Sequence, residues 1–203
     1  MEEFGINIWL APGMNIHRNP LCGRNFEYFS EDPVLTGRMA AAITAGVQAH
    51  KGCMVMIKHF ACNNQEDNRH FSNSIVSQRP LREIYLKGFE IAVKEAAPMA
   101  VMTSYNRLNG VHAANCFDLC SNILRSEWGF DGFIATDWRT TVHDGACTAS
   151  NCARAGNDVN MPGFELDLRN MKKELRQGTL SIDDVKACVS RLVSAVLRSN
   201  LFE

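Results

Sequence analysis

Gly132-Phe133-Ile134-Ala135-Thr136-Asp137-Trp138 is the stretch that decides the fold. Its opening is apolar without alternation, the pattern of a strand buried on both faces, and such strands belong to parallel sheets covered by helices on either side. In α/β folds of that kind the chemistry gathers at the carboxyl ends of the strands, where Asp137 and Trp138 stand. The indole offers a flat apolar surface to a ring-shaped ligand beside a carboxylate. The plainer reading, an Asp capping the following helix, is open at this level because Asp is a favoured N-cap residue.

Working outward, apolar runs at residues 6–11, 53–58, 99–104 and 158–161 join 132–136 as predicted strands, each ending in polar or glycine-rich residues. Between them, residues 33–50 (Leu35, Met39, Ile43, Val47) and 80–95 (Ile84, Phe89, Val93) repeat apolar side chains at helical spacing, and residues 115–128 form a third helix beyond a turn at Asn109-Gly110. Two more helices follow, at 166–176 and 181–199. Gly178 is the stop between them, and Ser181 opens a capping box with Asp184 in place of the usual Glu. Alternating βα units predict one α/β domain over residues 1–203. Five strands do not close a barrel of eight, so the sheet edges are expected to be covered, paired with another copy, or completed by a longer chain.

A chain of 203 residues, 46% hydrophobic, buries one substantial core. Twenty-one basic against 22 acidic residues give a net charge of −1 with no run of either sign, which argues against nucleic-acid and membrane partners and for a small neutral substrate. Met1-Glu2-Glu3-Phe4 has neither part of a secretion signal, and a soluble, cytoplasmic protein is expected. Eight cysteines include Cys116-x3-Cys120 and Cys147-x4-Cys152 near His143, but no CxxC. Reduced, mostly buried thiols are expected rather than zinc.

Polar groups recur after successive strands: Arg24 and Glu27 after the first, Lys58 and His59 after the second, Ser104-Tyr105-Asn106 after the third, and Asp137-Trp138 after the fourth. Together they make a pocket that hydrogen-bonds vicinal hydroxyls. At Gly23-Arg24-Asn25-Phe26-Glu27, Lys58-His59-Phe60, Arg79-Pro80-Leu81-Arg82-Glu83-Ile84-Tyr85-Leu86, Ser104-Tyr105-Asn106 and Gly129 through Trp138, the chain resembles glycoside hydrolase family 3, the β-glucosidases and their relatives.

The resemblance implies a partial (β/α)8 TIM-like barrel, from near its third strand to its last helices, and retaining hydrolysis of terminal β-linked sugars. Asp137 maps onto the family's catalytic nucleophile, with Thr136 where the family has Ser. Arg24, Lys58 and His59 map onto its sugar-binding Arg and Lys-His pair, and Met102, Tyr105 and Trp138 onto pocket-lining residues. No metal or organic cofactor is implied. A carbohydrate is the expected partner, with self-association or a complementing domain to finish the sheet. Retention needs a second carboxyl group. In β-glucosidases of the family it is a Glu on a separate α/β sandwich domain, which nothing in the sequence matches. In the β-N-acetylglucosaminidase branch an Asp-His dyad replaces it; Asp67 and His70 lie in the corresponding loop, one residue too far apart. A non-catalytic sugar-binding or interaction module is the reading from another class. Glu27 is expected to hold Arg24 by an ion pair, Asp144 to cap a helix, and His17, His50 and His143 to be surface or structural residues.

Overall fold

The computed structural model describes residues 1–143 and 145–199. Four strands make a parallel sheet in the order β1 (Ile8–Trp9), β2 (Met54–Phe60), β3 (Ala100–Thr103) and β4 (Phe133–Thr136). The register pairs Ile8 with Met54, Met56 with Ala100, and Ala100 with Phe133. This is the expected α/β arrangement, part of a TIM-like barrel. β1 is short because Pro12 has no N–H to give the ladder, and pairing resumes at Gly13 opposite Lys58.

The fifth predicted strand shrinks to a single parallel bridge, Ala135 to Val159. The buried Asp158 carboxylate takes the place of a ladder partner by accepting the Ile134 N–H at 2.7 Å. A second, small sheet was not expected: Asn73–Ser74, Arg107–Leu108 and Val111–His112, the last two joined across Asn109-Gly110. Both turn residues have positive φ (50° and 93°), which Asn and Gly tolerate best.

The sheet has two different faces. Val55, Ile57, Val101 and Ile134 pack under α1 (Pro33–Gln48), α2 (Lys87–Ala96) and the π-helical segment Asp118–Glu127, with Leu86, Phe89, Leu119 and Leu124 filling that core. A second π-helical turn, Leu81–Tyr85, precedes α2. Despite this winding, Leu119, Cys120, Ile123 and Leu124 still point inward, as the apolar spacing requires. On the opposite face Met54, Met56, Ala100, Met102, Phe133 and Ala135 alternate with the first set, as side chains along a strand do.

α3 (Ala149–Ala155) and α4 (Glu165–Gln177) follow β4. Ala195 and Leu192 of α5 (Ile182–Leu197) cover the methionine-rich face, so a helix shields the surface that the sequence left open.

Local signals explain the helix ends. Asp32 caps α1, accepting from Val34 N at 2.7 Å, with Pro33 at the first helical position. Gly178 ends α4 at φ 71°, and the Ser181 hydroxyl caps α5 through the Asp183 N–H at 3.1 Å. Where α1 crosses α2, a Cβ on Gly37 would lie 2.9 Å from the Gly88 carbonyl oxygen, so glycine sets how closely the two helices approach. Among the described residues no helix is long and apolar enough to cross a membrane, and no group of three His, Cys, Asp or Glu is placed to hold a metal ion. The cap expected of Asp144 lies outside the described residues.

Candidate active site

Asp137 follows the last residue of β4, and its backbone N–H donates to the Thr103 carbonyl at the end of β3 at 3.2 Å. The sheet thereby fixes where its carboxylate emerges. Oδ1 accepts the Trp138 N–H at 2.7 Å, while Oδ2 is buried without a hydrogen-bond partner. Burial raises the Asp137 pKa above the ordinary aspartate value, against the pull of the Trp138 N–H and the Tyr105 hydroxyl.

His59 Nε2 lies 3.7 Å from Asp137 Oδ2. Burial first, then the positive charges of Arg24, Lys58 and Arg69, push the His59 pKa well below the ordinary histidine value. The imidazole is therefore neutral, and its approach to Asp137 is a contact between a ring N and a carboxylate rather than an ion pair. Asn15 holds this residue on both sides of its peptide: the His59 N–H donates to Asn15 Oδ1, and Asn15 Nδ2 donates to the His59 carbonyl, each at 2.9 Å. Tyr28 Oη stands 3.4 Å from the other ring nitrogen. The Lys58–His59 and Phe60–Ala61 peptide bonds are cis.

Glu27 serves two cations. Arg24 Nε donates to Oε1 at 2.5 Å, as expected, and Lys58 Nζ lies 3.6 Å from Oε2. Gly13 makes room for this cluster, since a Cβ there would sit 2.9 Å from Glu27 Oε2. With one carboxylate facing two cations, the cluster keeps a net positive charge and spare donors for hydroxyl oxygens.

On the other side of Asp137, the Tyr105 hydroxyl donates to the Trp138 carbonyl at 2.9 Å. The Tyr105 ring is clamped by the Arg69 guanidinium 4.7 Å above it and by His70 packed on it at 4.2 Å between ring centroids. His143 packs on His70 at 3.7 Å, which makes it part of this cluster rather than a bystander. Burial, with His143 and Arg69, lowers the His70 pKa to about 4. Asp67 is exposed, while His70 packs on Tyr105 and His143 with its Nδ1 buried and without a hydrogen-bond partner, so no hydrogen bond joins Asp67 to His70 in this structure. Trp138 leaves 48% of its surface open, and Met102 is buried on the methionine-rich face of β3.

Residues 1–195 match the family model described as the glycosyl hydrolase family 3 N terminal domain. The chain belongs to that family. It is 55% identical to a β-glucosidase of Ruminococcus albus over 98% of its own length and 22% of that protein's. It is 48% identical, over 77% of this chain and 20% of the relative, to an exo-α-(1→6)-L-arabinopyranosidase of Bifidobacterium longum. Among solved structures, β-glucosidase 3B of Thermotoga neapolitana in complex with α-D-glucose superposes at a TM-score of 0.91 with 45% identity, over 97% of this chain and 28% of that one. The chain thus spans 20–28% of the length of these relatives.

In this family 3 chain, Arg24, Lys58, His59, Tyr105, Asp137 and Trp138 come together at the carboxyl ends of β1 to β4, as their order after successive strands implied. Met102 lies lower, within the sheet. Three supporting residues escaped sequence reasoning. Asn15 and Tyr28 act through partners 44 and 31 residues away. Arg69 could be found only as a cation three residues from its partner Glu66, which it pairs at 2.7 Å.

Proposed function

We propose that residues 1–203 are one partial barrel domain of a retaining glycosidase acting on terminal β-linked sugars, β-glucosidase-like, with Asp137 as nucleophile. The observation that carries this is the buried, unpartnered Oδ2 of Asp137 at a strand's carboxyl end, facing a neutral His59. An oxygen already bound by a cation or an N–H would first have to release it before attacking. The sugar ring lies along Trp138, while Arg24, Lys58 and His59 donate to its hydroxyls, in bonds that strengthen as charge develops at the anomeric carbon. Tyr105 steadies Asp137 and Trp138. The chemistry is nucleophilic and acid–base only, and the names of the relatives support glucose as the first sugar to try.

Retention requires a second carboxyl group about 5–5.5 Å from the first. Among the described residues, the acidic neighbours in this pocket are Glu27, shared by Arg24 and Lys58, and Glu66, bound by Arg69 and Asn63. Neither is at leisure to protonate a leaving oxygen. This favours a second reading in one respect: the isolated chain binds the sugar and is charged by activated glycosides, while the general acid comes from outside these residues. General acid catalysis contributes about 10²–10⁴-fold, so the purified chain is expected to cleave aryl glucosides with good leaving groups far better than cellobiose. A 2-deoxy-2-fluoroglucoside should label the peptide containing Asp137. Label on a different carboxylate refutes the assignment, and sugar binding without any label leaves a binding module.

A further inference from the structure

The loop after β2 turns at Cys62, where φ is 65°, and is tied down on both sides. The Cys62 carbonyl accepts the Ser74 hydroxyl at 3.1 Å, and Asn64 Nδ2 donates to the Ile16 carbonyl at 2.8 Å. Close by, the Asn109 side chain grips both backbone polar groups of Val76, accepting from its N–H and donating to its carbonyl at 2.9 Å each. These ties between distant residues hold the walls of a second cavity, so little ordering is left for a ligand to bring about.

The cavity measures about 320 Å³, and its walls include Arg18, Asn19, Asn64, Gln65, Ile75 and Tyr85. Small-molecule sites run from about 300 to 1,000 Å³, so this one suits a single small ring. None of Arg24, Lys58, His59, Tyr105, Asp137 or Trp138 lines it. Tyr85 ends the π-helical turn Leu81–Tyr85, a winding that is rare and often found at functional sites. With Ile75, which is 77% exposed, its ring gives the cavity an apolar side.

The polar groups sort into donors and acceptors. Asn64 Nδ2 is spent on Ile16 and Gln65 Nε2 on the Asp67 carbonyl at 2.9 Å, which fixes how both amides are turned and leaves two side-chain oxygens as acceptors. Asn19 Oδ1 accepts the Leu21 N–H at 2.9 Å, which leaves its NH2 as a donor. Among the described residues the Arg18 guanidinium has no ion-pair partner, the Tyr85 hydroxyl has no hydrogen-bond partner, and no Asp or Glu lines the cavity.

We propose that this cavity is an accessory binding site for a neutral monosaccharide. A hydroxyl group both donates and accepts, so a polyol can answer Asn64 Oδ1 and Gln65 Oε1 as well as Arg18 and Asn19. A carboxylate or phosphate brings only acceptors and would set its oxygens against the two amide oxygens. A cation finds no carboxylate here. Because the wall opens to solvent and offers few hydrogen bonds, the affinity is in the millimolar range, about 1–50 mM. The site is independent of the glycosidase reading.

The chain has three tyrosines, Tyr28 and Tyr105 at the candidate active site and Tyr85 in this cavity, so ring-labelled tyrosine gives each site its own reporter. The experiment titrates the folded chain with D-glucose, D-galactose and D-xylose and follows the three signals by NMR, that of Tyr85 being identified from Tyr85→Phe. At least one sugar should move Tyr85 along a saturating curve. Gln65→Leu, at an exposed position, should weaken that curve about fivefold or more while leaving the Tyr28 and Tyr105 curves unchanged. No saturation at Tyr85 with any of the three sugars, an unchanged curve in Gln65→Leu, or tighter binding of sodium glucuronate or inorganic phosphate overturns the proposal. Shifts at Tyr105 without any at Tyr85 refute this site alone. Shifts at Tyr85 without any at Tyr28 or Tyr105 uphold it and count against the candidate active site instead.

Discussion

Replacing Asp158 by alanine should unfold this domain more readily than any substitution among the residues of the candidate site. The Asp158 side chain is 0% exposed and is held by two guanidinium groups, Arg125 Nη2 and Arg191 Nη2, each at 2.7 Å. Its Oδ2 also accepts the Ile134 N–H at 2.7 Å, three residues before Asp137. Alanine leaves a backbone donor unpaired and strands Arg125, only 15% exposed, whose pKa burial already pulls below the ordinary arginine value. Removing one partner of a buried ion pair typically costs about 3–5 kcal/mol. At about 2–4 °C per kcal/mol for a chain of this size, the melting temperature should fall by roughly 6–20 °C.

Asp158→Asn keeps an acceptor for Ile134 and loses the charge, so it should cost less, about 1.5–3 kcal/mol. Arg191→Ala should cost least, because Arg191 is 25% exposed and Arg125 still neutralises the carboxylate. Urea unfolding with an unchanged m-value would measure all three. A cost below about 1 kcal/mol for Asp158→Ala, or an inverted order, would show that solvent replaces this pairing at little expense and that the sheet is not anchored there.

Glu27→Gln leaves Arg24 and Lys58 without their shared carboxylate, and glucose binding, followed by titration calorimetry, should weaken about tenfold or more, as expected for losing charged hydrogen bonds of about 1.5–3 kcal/mol. Acid should destabilise the fold. His59 and His70 have lowered folded-state pKa values, so their contribution is present above the unfolded value near 6.5 and is lost as pH falls, towards about 4 for His70. Melting curves between pH 7 and pH 4 should show the loss, and a flatter profile for His59→Gln is the check. Asp137 acts oppositely: its raised pKa makes the folded state take up a proton first, so any turnover should fail on the acid side at a pH above the ordinary aspartate value. Gly37→Ala drives a methyl group against Gly88 and Ile91, and overpacking of about 1–3 kcal/mol should lower the melting temperature without changing sugar binding. Val189, Val193, Val196 and Leu197 of α5 and Trp9 of β1 remain exposed, so sedimentation should detect concentration-dependent association, and a monomer at every concentration would refute this.

The parts of the fold that were legible in sequence carry their own signal. Phe133 to Ala135 is apolar at every step, Asn109-Gly110 can take the positive φ of a tight turn, and Gly178 with Ser181 punctuates two helices. Residues 158–161 looked like the same kind of strand, but Asp158 is there to be bound by arginines that arrive from residues 125 and 191, and no local pattern reveals that. α3 escaped because its seven residues, Ala149-Ser150-Asn151-Cys152-Ala153-Arg154-Ala155, are small and bury almost all round rather than along a stripe. At the site, side chains that follow strands in order were readable. Asn15, Tyr28 and Arg69 take their roles from contacts across the fold, and only the assembled structure places them.

The two faces of the sheet differ in softness. Val55, Ile57, Val101 and Ile134 have few rotamers, while Met54, Met56, Met99, Met102 and Met161 are unbranched and polarisable. Five of the nine methionines thus crowd the face from which Asp137 emerges. Their terminal methyl groups are a ready-made set of spectroscopic reporters. In a chain labelled with ¹³C-methyl methionine, Met102 should shift as a sugar is titrated, while Met14, in the opposite core, stays still.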